Sequence, residues 1–215
     1  MSARDSWATP PALARLLVEE FGCNLDVCAD ASNHKCNYWF GLGAPCGVED
    51  ALTTFWGRNG GRNVAWCNPP YSKILPWVEK AIAELANNVE TIMLVPLDSS
   101  TAWWRAAMPH VAEVRLLTPR VQFVPPDGVK ASSNPKASAV LRFLPGWHHA
   151  PHVDLAWDWQ AAIKAAKVQR ISAAIVDAQD GPLFAAHEPG QTTQQMDMEE
   201  ETADATEDAT CANKP

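Results

Sequence analysis

The chain has 215 residues, 47% of them hydrophobic, a formal net charge of −8 and six cysteines. This length suits one domain with an appendage, and neither a run of 18 apolar residues nor a secretory leader pattern is present. The cysteines lack paired C-x-x-C spacing, which argues against a disulfide framework. We therefore expect a soluble cytoplasmic protein with no membrane partner.

The charge is unevenly distributed along the chain. From residue 185 onward there are eight acidic residues and one basic residue, whereas residues 1–184 carry 17 acidic and 16 basic residues. The acidic stretch has almost no large apolar side chains, so it cannot bury enough surface to offset the entropy lost on ordering. We predict one folded domain over residues 1–184 and a disordered acidic tail over 185–215, serving solubility rather than mimicry of nucleic-acid charge.

The N-terminal elements are a helix and a strand. Residues 9–22 read "TPPALARLLVEEFG", with Thr9 as a possible N-cap, apolar residues at helical spacing and a glycine as the stop signal. The run "NLDVCAD" predicts a short strand and the loop leaving it, with carboxylates at Asp26 and Asp30. Residues 31–62 lack periodicity and predict only irregular structure.

A metal site would have to use the thiol and imidazole groups in or just before this irregular region, namely Cys28, His34, Cys36 and Cys46. Their gaps are irregular and no second ligand knuckle follows. The sequence therefore predicts ordinary reduced thiols and no metal.

The middle of the chain alternates strands and helices. "NVAWC" (63–67) predicts a buried strand, and "ILPWVEKAIAELAN" (74–87) predicts a helix with a proline in its first turn. "ETIMLVP" (90–96) is typical of a strand covered on both faces of a parallel sheet. "STAWWRAAM" (100–108) predicts a short helix and "EVRLL" (113–117) another strand. This order predicts an α/β sandwich with a mostly parallel central sheet and right-handed crossovers.

Two further β segments follow. "VQFV" (121–124) and "ASAVLRFL" (137–144) predict an antiparallel hairpin at the edge of the sheet. The last apolar stretch, "DLAWDWQAAIKAAKVQRISAAIVDAQ" (154–179), predicts a helix or a helix pair.

The stretch around the proposed hairpin loop is basic. Residues 115–142 contain five basic side chains and one acid, Asp127. Such a loop can follow a phosphate backbone by exchanging bound counterions for cationic side chains, although a solvated surface loop is the alternative. The predicted DNA contacts are Arg115, Arg120, Lys130 and Lys136.

The strand at 63–67 ends in "CNPPYS". Two successive prolines fix φ and donate no backbone hydrogen bonds, so they stop the strand and stiffen the turn beside Asn68 and Tyr71. Ligands of α/β sheets bind at the carboxyl ends of strands, near the switch in strand order. If the strands of "DVCAD" and "CNPPYS" are neighbours, their loops face each other across one crevice. The alternative is a stiff turn with a packed tyrosine.

"NPPY" at a strand end resembles the catalytic tetrapeptide of amino-methyltransferases that use S-adenosylmethionine. The wider chain resembles the phage-type DNA N6-adenine methyltransferase (Dam) family over roughly residues 5–145. The similar segments, in order, are "DSWATPPALARLLVEEFG", "LDVCADASNHKCNYWF", "EDALTTFW", "WCNPPYSKILPWVEKA", "MLVPLDSSTAWWR" and "RVQF". The resemblance implies a Rossmann-like S-adenosylmethionine-dependent methyltransferase sandwich, DNA as partner and a bacterial host cytoplasm. The sequence leaves the oligomeric state open.

The chemistry of the tetrapeptide follows from its functional groups. The exocyclic amine of adenine is a poor nucleophile because its lone pair is delocalised into the ring. The two N–H groups of the amine can donate to the Asn68 side-chain oxygen and to the Pro69 carbonyl, which localises that lone pair. Pro70 keeps the turn rigid. Tyr71 would stack on the target base, which must leave the duplex to react.

The resemblance also implies a donor site. It places Asp26 at an acidic position for the donor's amino group or ribose hydroxyls, with Asp30 as the near alternative. Asp50 corresponds to a partner of the donor's adenine amine, and Thr9 and Pro10 to its methionine end. Capping of a loop or a helix is the alternative for these residues. No Gly-x-Gly loop follows "DVCAD", so the donor contacts rest on the resemblance.

Other acceptors and another class of protein stay open. N4 of cytosine and the side-chain amide of a protein glutamine present a similar planar amine, and the tetrapeptide alone does not separate them. The basic stretch favours nucleic acid over a peptide. A non-catalytic nucleic-acid-binding module that has kept the fold is the further alternative.

Overall fold

The computed structural model describes residues 7–57, 62–125, 128 and 136–179. The chain divides into two compact units, residues 1–166 and 167–215, and all strands found in the described residues belong to the first. Lys130 and the predicted acidic tail lie outside the described residues. Within the described ranges, no helix has the length and apolar character that crossing a bilayer requires.

Helices and strands alternate through the first unit. In chain order they are α1 (Pro11–Phe21), β1 (Leu25–Asp26), β2 (Tyr38–Trp39), β3 (Asn63–Cys67), α2 (Leu75–Leu85), β4 (Val89–Pro96), α3 (Ala102–Ala107), β5 (Val111–Thr118), β6 (Ser138–Phe143), β7 (His152–Asp158) and α4 (Trp159–Gln179). The last of these helices continues into the second unit, where its described side chains are exposed.

The helix α1 confirms the prediction in its body but not at its start. Leu13, Leu17 and Phe21 recur at helical spacing and are buried, and Gly22 ends the helix at φ 68°, a left-handed conformation that glycine adopts without steric cost. The N-cap position is Pro10, and no side chain caps it. The prediction of Thr9 as N-cap is therefore wrong, because that side chain is buried away from the helix amides.

The seven strands form one sheet in the order β2-β1-β3-β4-β6-β5-β7. Every strand runs in the same direction except β6, which is antiparallel to both β4 and β5. The predicted α/β class with a mostly parallel sheet is confirmed. The first strand, β1, has β2 on one side and β3 on the other, so the strand order switches between β1 and β3.

Three predictions about the C-terminal elements are wrong. Residues 121–124 form no sheet strand and contribute only an isolated bridge between Val124 and Ala8. The strand β6 lies inside the sheet, where Ile92 and Leu116 of its two neighbours face Arg142 and Ala139. Residues 154–179 were predicted to be helical, but residues 154–158 belong to β7 and the helix α4 begins at Trp159. The pairing of β7 with β5 outweighs the helical tendency of these residues.

Helices cover both faces of the sheet. On one face α1 and the start of α4 pack on the sheet through Leu13, Leu17 and Trp159. On the other face α2 and α3 do so through Val78 and Trp103. The strand β4 is buried at all eight positions, as its continuous apolar run predicts.

An ion-pair cluster closes the amino-terminal edge of the sheet. The Glu90 carboxylate, only 3% exposed, accepts hydrogen bonds from Arg62 at 2.5 Å and Arg142 at 2.7 Å. Arg115 donates to both oxygens of Glu20, at 2.7 and 3.0 Å, and to Glu113 at 2.6 Å. Because acids and bases alternate, each charge in this cluster has a partner of opposite sign.

Glu90→Gln should destabilise the protein by about 1–3 kcal/mol, because it leaves two guanidinium groups without their shared counter-ion. The measurement is the free energy of unfolding in urea, with Glu79→Gln, an exposed acid of α2, as the matched control. The control should stay within about 0.5 kcal/mol of the wild type. Equal effects of the two changes would show that the cluster contributes nothing to stability.

Candidate active site

A cleft of about 830 Å³ opens at the carboxyl ends of β1 and β3. The two strands are direct neighbours, with Asp26 opposite Trp66. The strand order switches between them. The prediction that the "DVCAD" and "CNPPYS" loops face one crevice is confirmed. Six of the predicted site residues line the cleft: Thr9, Asp26, Asp30, Asp50, Asn68 and Pro70.

The turn after β3 presents an unused acceptor. The backbone N–H of Lys73 donates to the Pro70 carbonyl at 3.0 Å and closes the turn, while Pro69 is buried beneath it. The Asn68 side-chain oxygen is buried and has no hydrogen-bond partner among the described residues. A buried acceptor without a partner costs stability, so this oxygen is available to a ligand that brings a donor into the cleft.

Tyr71 packs against the core rather than lining the cleft. Its ring meets Phe123 edge-on, with centroids 5.8 Å apart and planes at 87°. Its hydroxyl is buried without a partner, and this burial raises the pKa of the phenol well above its ordinary value. The side chain is therefore a neutral ring, unsuited to act as a base. Phe123 was not among the predicted site residues, although it lies in the family-like segment "RVQF".

Asp26 is a buried carboxylate at the end of β1. Its side chain is 2% exposed, and its oxygens accept from the backbone N–H groups of Cys28 at 3.1 Å and Lys35 at 2.9 Å. Burial raises the pKa of Asp26 to about 6, although the two backbone hydrogen bonds act in the opposite direction. The carboxylate thus holds both ends of the loop from 26 to 35 and also faces the cleft.

Asp30 and Asp50 reach the cleft from its more exposed loops. One oxygen of Asp30 accepts from the backbone N–H and the hydroxyl of Ser32, at 2.7 and 2.6 Å. One oxygen of Asp50 accepts from the backbone N–H of Leu52 at 3.0 Å. Both carboxylates therefore brace their own loops, as the capping alternative predicted, and both still line the cleft.

Thr9 contributes a second unused polar group. Its side chain is 1% exposed and its hydroxyl has no partner in the described part of the chain. The segment is held by Ala8 and Val124, which exchange two backbone hydrogen bonds of 2.9 Å. This bridge fixes the hydroxyl at the cleft, whereas Pro10 belongs to the start of α1.

Comparison with known proteins identifies the family. A family model described as DNA N-6-adenine-methyltransferase (Dam) matches residues 1–167. The chain belongs to the Dam family. It is 34% identical over 114 residues to a DNA N-6-adenine-methyltransferase of Escherichia phage T1. The aligned residues cover 53% of this chain and 44% of that protein. It is 31% identical over 150 residues to a DNA N-6-adenine-methyltransferase of Haemophilus phage HP1 (strain HP1c1), covering 67% of this chain and 81% of that protein.

The family resemblance predicted from the sequence is thereby confirmed. The matched region spans less than half of the phage T1 protein but most of the phage HP1 protein. Residues 1–167, which the family model matches, include the cleft, the "CNPPYS" turn and the seven described strands.

The predicted DNA contacts of the Dam-family chain fall into two groups. Arg115 lies in the amino-edge ion-pair cluster, its side chain is 12% exposed, and its guanidinium also stacks on Phe21 and Trp157. A phosphate would have to displace two carboxylates there, and a DNA-binding role of Arg115 stays a prediction. Arg120 and Lys136 lie in exposed positions, after β5 and before β6.

The described part of the Dam-family chain contains no group of three or more His, Cys, Asp or Glu side chains placed to hold a metal ion. In the candidate set taken from the sequence, Nδ1 of His34 lies 3.0 Å from the Cys36 carbonyl oxygen, and the ring stacks on Trp39 at 5.4 Å. The thiol of Cys46 approaches the Trp39 carbonyl instead.

Proposed function

We propose that this Dam-family protein transfers a methyl group from S-adenosylmethionine to N6 of adenine in DNA. The observation that supports it best is the Asn68 side-chain oxygen, buried without a partner on a rigid turn beside the cleft. The site lies at the switch in strand order, where Rossmann-like sheets bind nucleotide ligands. The names of the two phage relatives point to the same reaction.

The chain's own groups account for activation of the amine. The Asn68 side-chain oxygen and the Pro69 carbonyl accept one hydrogen each, which localises the nitrogen lone pair and aims it. Tyr71 lies beside the turn, with its ring edge-on to Phe123 and outside the cleft lining, and its stacking on an extruded base stays a prediction. The bound donor supplies a methyl group on a sulfonium, so the transfer is a direct displacement without a covalent enzyme intermediate.

The cleft fits the donor in size and chemistry. A cleft of about 830 Å³ lies in the range of cofactor sites, which is roughly 300–1,000 Å³. Asp26 offers carboxylate lone pairs to an ammonium or to ribose hydroxyls, and Asp50 offers one to an adenine amine. Thr9 supplies a hydroxyl that can donate to a carboxylate. With no Gly-x-Gly loop, these side chains would carry more of the donor recognition.

Thr9→Val should lower the affinity for S-adenosylmethionine by about tenfold, the effect of one hydrogen bond to a charged group. The free energy of unfolding should not fall, because the hydroxyl has no partner in the free protein. Thr91→Val is the matched control: this hydroxyl is also fully buried without a partner but lies within β4, away from the cleft. Calorimetric titration gives the affinities, and equal donor affinity in both variants would contradict the role of Thr9.

Isotope transfer tests the reaction itself. The protein is incubated with unmethylated DNA and methyl-labelled S-adenosylmethionine, the DNA is digested to nucleosides, and the labelled product is identified by mass spectrometry. Label in N6-methyldeoxyadenosine supports the proposal. Label in N4-methyldeoxycytidine keeps the mechanism and changes the base. Absence of label with retained donor binding points to RNA or protein acceptors, and absence of both points to a non-catalytic module.

A further inference from the structure

The carboxyl-terminal edge of the sheet carries opposite charges on its two sides. On the β1 side, the charged side chains that line the cleft are four acids, Asp26, Asp30, Glu49 and Asp50, and one base, Lys35. On the other side, beyond β3, the segments that reach this edge carry cations: Lys73 after β3, Arg105 after β4, Lys136 before β6 and Arg120 after β5. The Asn68 turn lies at the border between the acidic and the basic side.

The cations among the described residues differ in whether a carboxylate pairs with them. Arg62, Arg115 and Arg142 are engaged with carboxylates in the amino-edge cluster. Lys136 is half-exposed and pairs with Asp98 at 2.8 Å. This ion pair lowers the pKa of Asp98 and reduces the charge that Lys136 offers to a partner.

Arg120 also has an interaction partner. Lys73 and Arg105 are the exposed cations that follow the adjacent strands β3 and β4. No acidic side chain among the described residues pairs with Lys73, whose backbone N–H closes the turn at Pro70 only two residues past Tyr71. Arg105 is exposed on α3, and one guanidinium nitrogen donates to the Ser100 carbonyl at 2.9 Å, which anchors the side chain to the loop after β4. Lys73 and Arg105 follow adjacent strands, β3 and β4, at the carboxyl-terminal edge of the sheet.

We propose that Lys73 and Arg105 form a phosphate-binding rim that holds the DNA backbone on the β4 side of the Asn68 turn. The inference rests on the proposed function, because the phosphates in question flank the extruded base. Extrusion costs unstacking and unpairing, and contacts to flanking phosphates fix the register of the strand without reading its sequence. In this arrangement the donor occupies the acidic side of the turn and the DNA backbone the basic side.

The test is the salt dependence of DNA binding in Lys73→Gln and Arg105→Gln. Each change should reduce the slope of log affinity against log salt by about 0.9, because one phosphate contact and its released counterions are lost. Affinity for an unmethylated duplex should fall about three- to tenfold at low salt and less at high salt. Lys164→Gln, an exposed cation of α4, is the control and should leave the slope unchanged.

Kinetics separate this role from a structural one. We expect KM for DNA to rise in both variants, kcat at saturating DNA to stay near that of the wild type, and S-adenosylmethionine affinity to be unchanged. Lys73→Arg should restore the salt slope. Slopes equal to that of the Lys164→Gln control would overturn the rim, even if the wild type methylates adenine. A reduced slope in a protein that transfers no methyl group would support the rim and contradict the proposed function.

Discussion

Asn68→Ala should lower the rate of methyl transfer by about 10²–10³-fold, the usual effect of removing one group that stabilises charge in a transition state. Donor affinity should change little, since the Asn68 oxygen faces the target amine and not the donor in the proposed arrangement. The free energy of unfolding should stay the same or rise, because the substitution removes a buried acceptor that has no partner in the free protein.

Single-turnover transfer, calorimetric titration of the donor and urea unfolding measure the three quantities. Asn68→Asp is the matched variant, because it keeps oxygen acceptors at the same position and should retain more activity than Asn68→Ala. A parallel loss of donor binding and stability in Asn68→Ala would show that the turn serves structure, with a packed tyrosine and no catalytic amide.

Asp26 should make the donor-free protein less stable as the pH rises through about 6. Burial raises the folded-state pKa to about 6 from an ordinary value of 3.8, so the folded state binds more protons than the unfolded state between these values. The unfavourable contribution is therefore fully present above pH 6 and absent below pH 3.8. Its size is about 3 kcal/mol, from roughly 1.4 kcal/mol for each pKa unit.

The measurement is the free energy of unfolding of the wild type and of Asp26→Asn from pH 4 to pH 8. The difference between the two should change by about 2.5 kcal/mol over this range, with the wild type becoming less stable relative to Asp26→Asn as the pH rises. Glu79→Gln, at an exposed position, should give a curve parallel to the wild type. A parallel curve for Asp26→Asn would contradict the linkage.

Donor binding should show the opposite pH trend at the same residue. The proposed contact with an ammonium or with hydroxyls needs the ionised carboxylate, so affinity for S-adenosylmethionine should fall about tenfold for each pH unit below the Asp26 pKa. Asp26→Asn should remove this dependence along with much of the affinity. A pH-independent affinity in the wild type would remove Asp26 from the donor site.

Elements whose signals are local could be predicted from the amino-acid sequence. Helical spacing and a terminal glycine define α1, the apolar run of 90–96 defines β4, and two prolines end β3 at the turn that holds Asn68. These signals act over a few residues, through backbone sterics and one-sided burial, so they can be interpreted without knowing the neighbours. The family resemblance is likewise visible in the residues alone.

Contacts between segments far apart in the chain became known from the three-dimensional fold. The insertion of β6 between β4 and β5, the burial of Thr9 at the cleft and the contact of Phe123 with Tyr71 each join residues far apart in the chain. The pairing of Arg115 with Glu20, 95 residues away, gives this predicted DNA contact a carboxylate partner that the sequence did not indicate. Whether a cation is free or neutralised depends on such contacts, because a local charge pattern does not show which carboxylates the fold brings beside it.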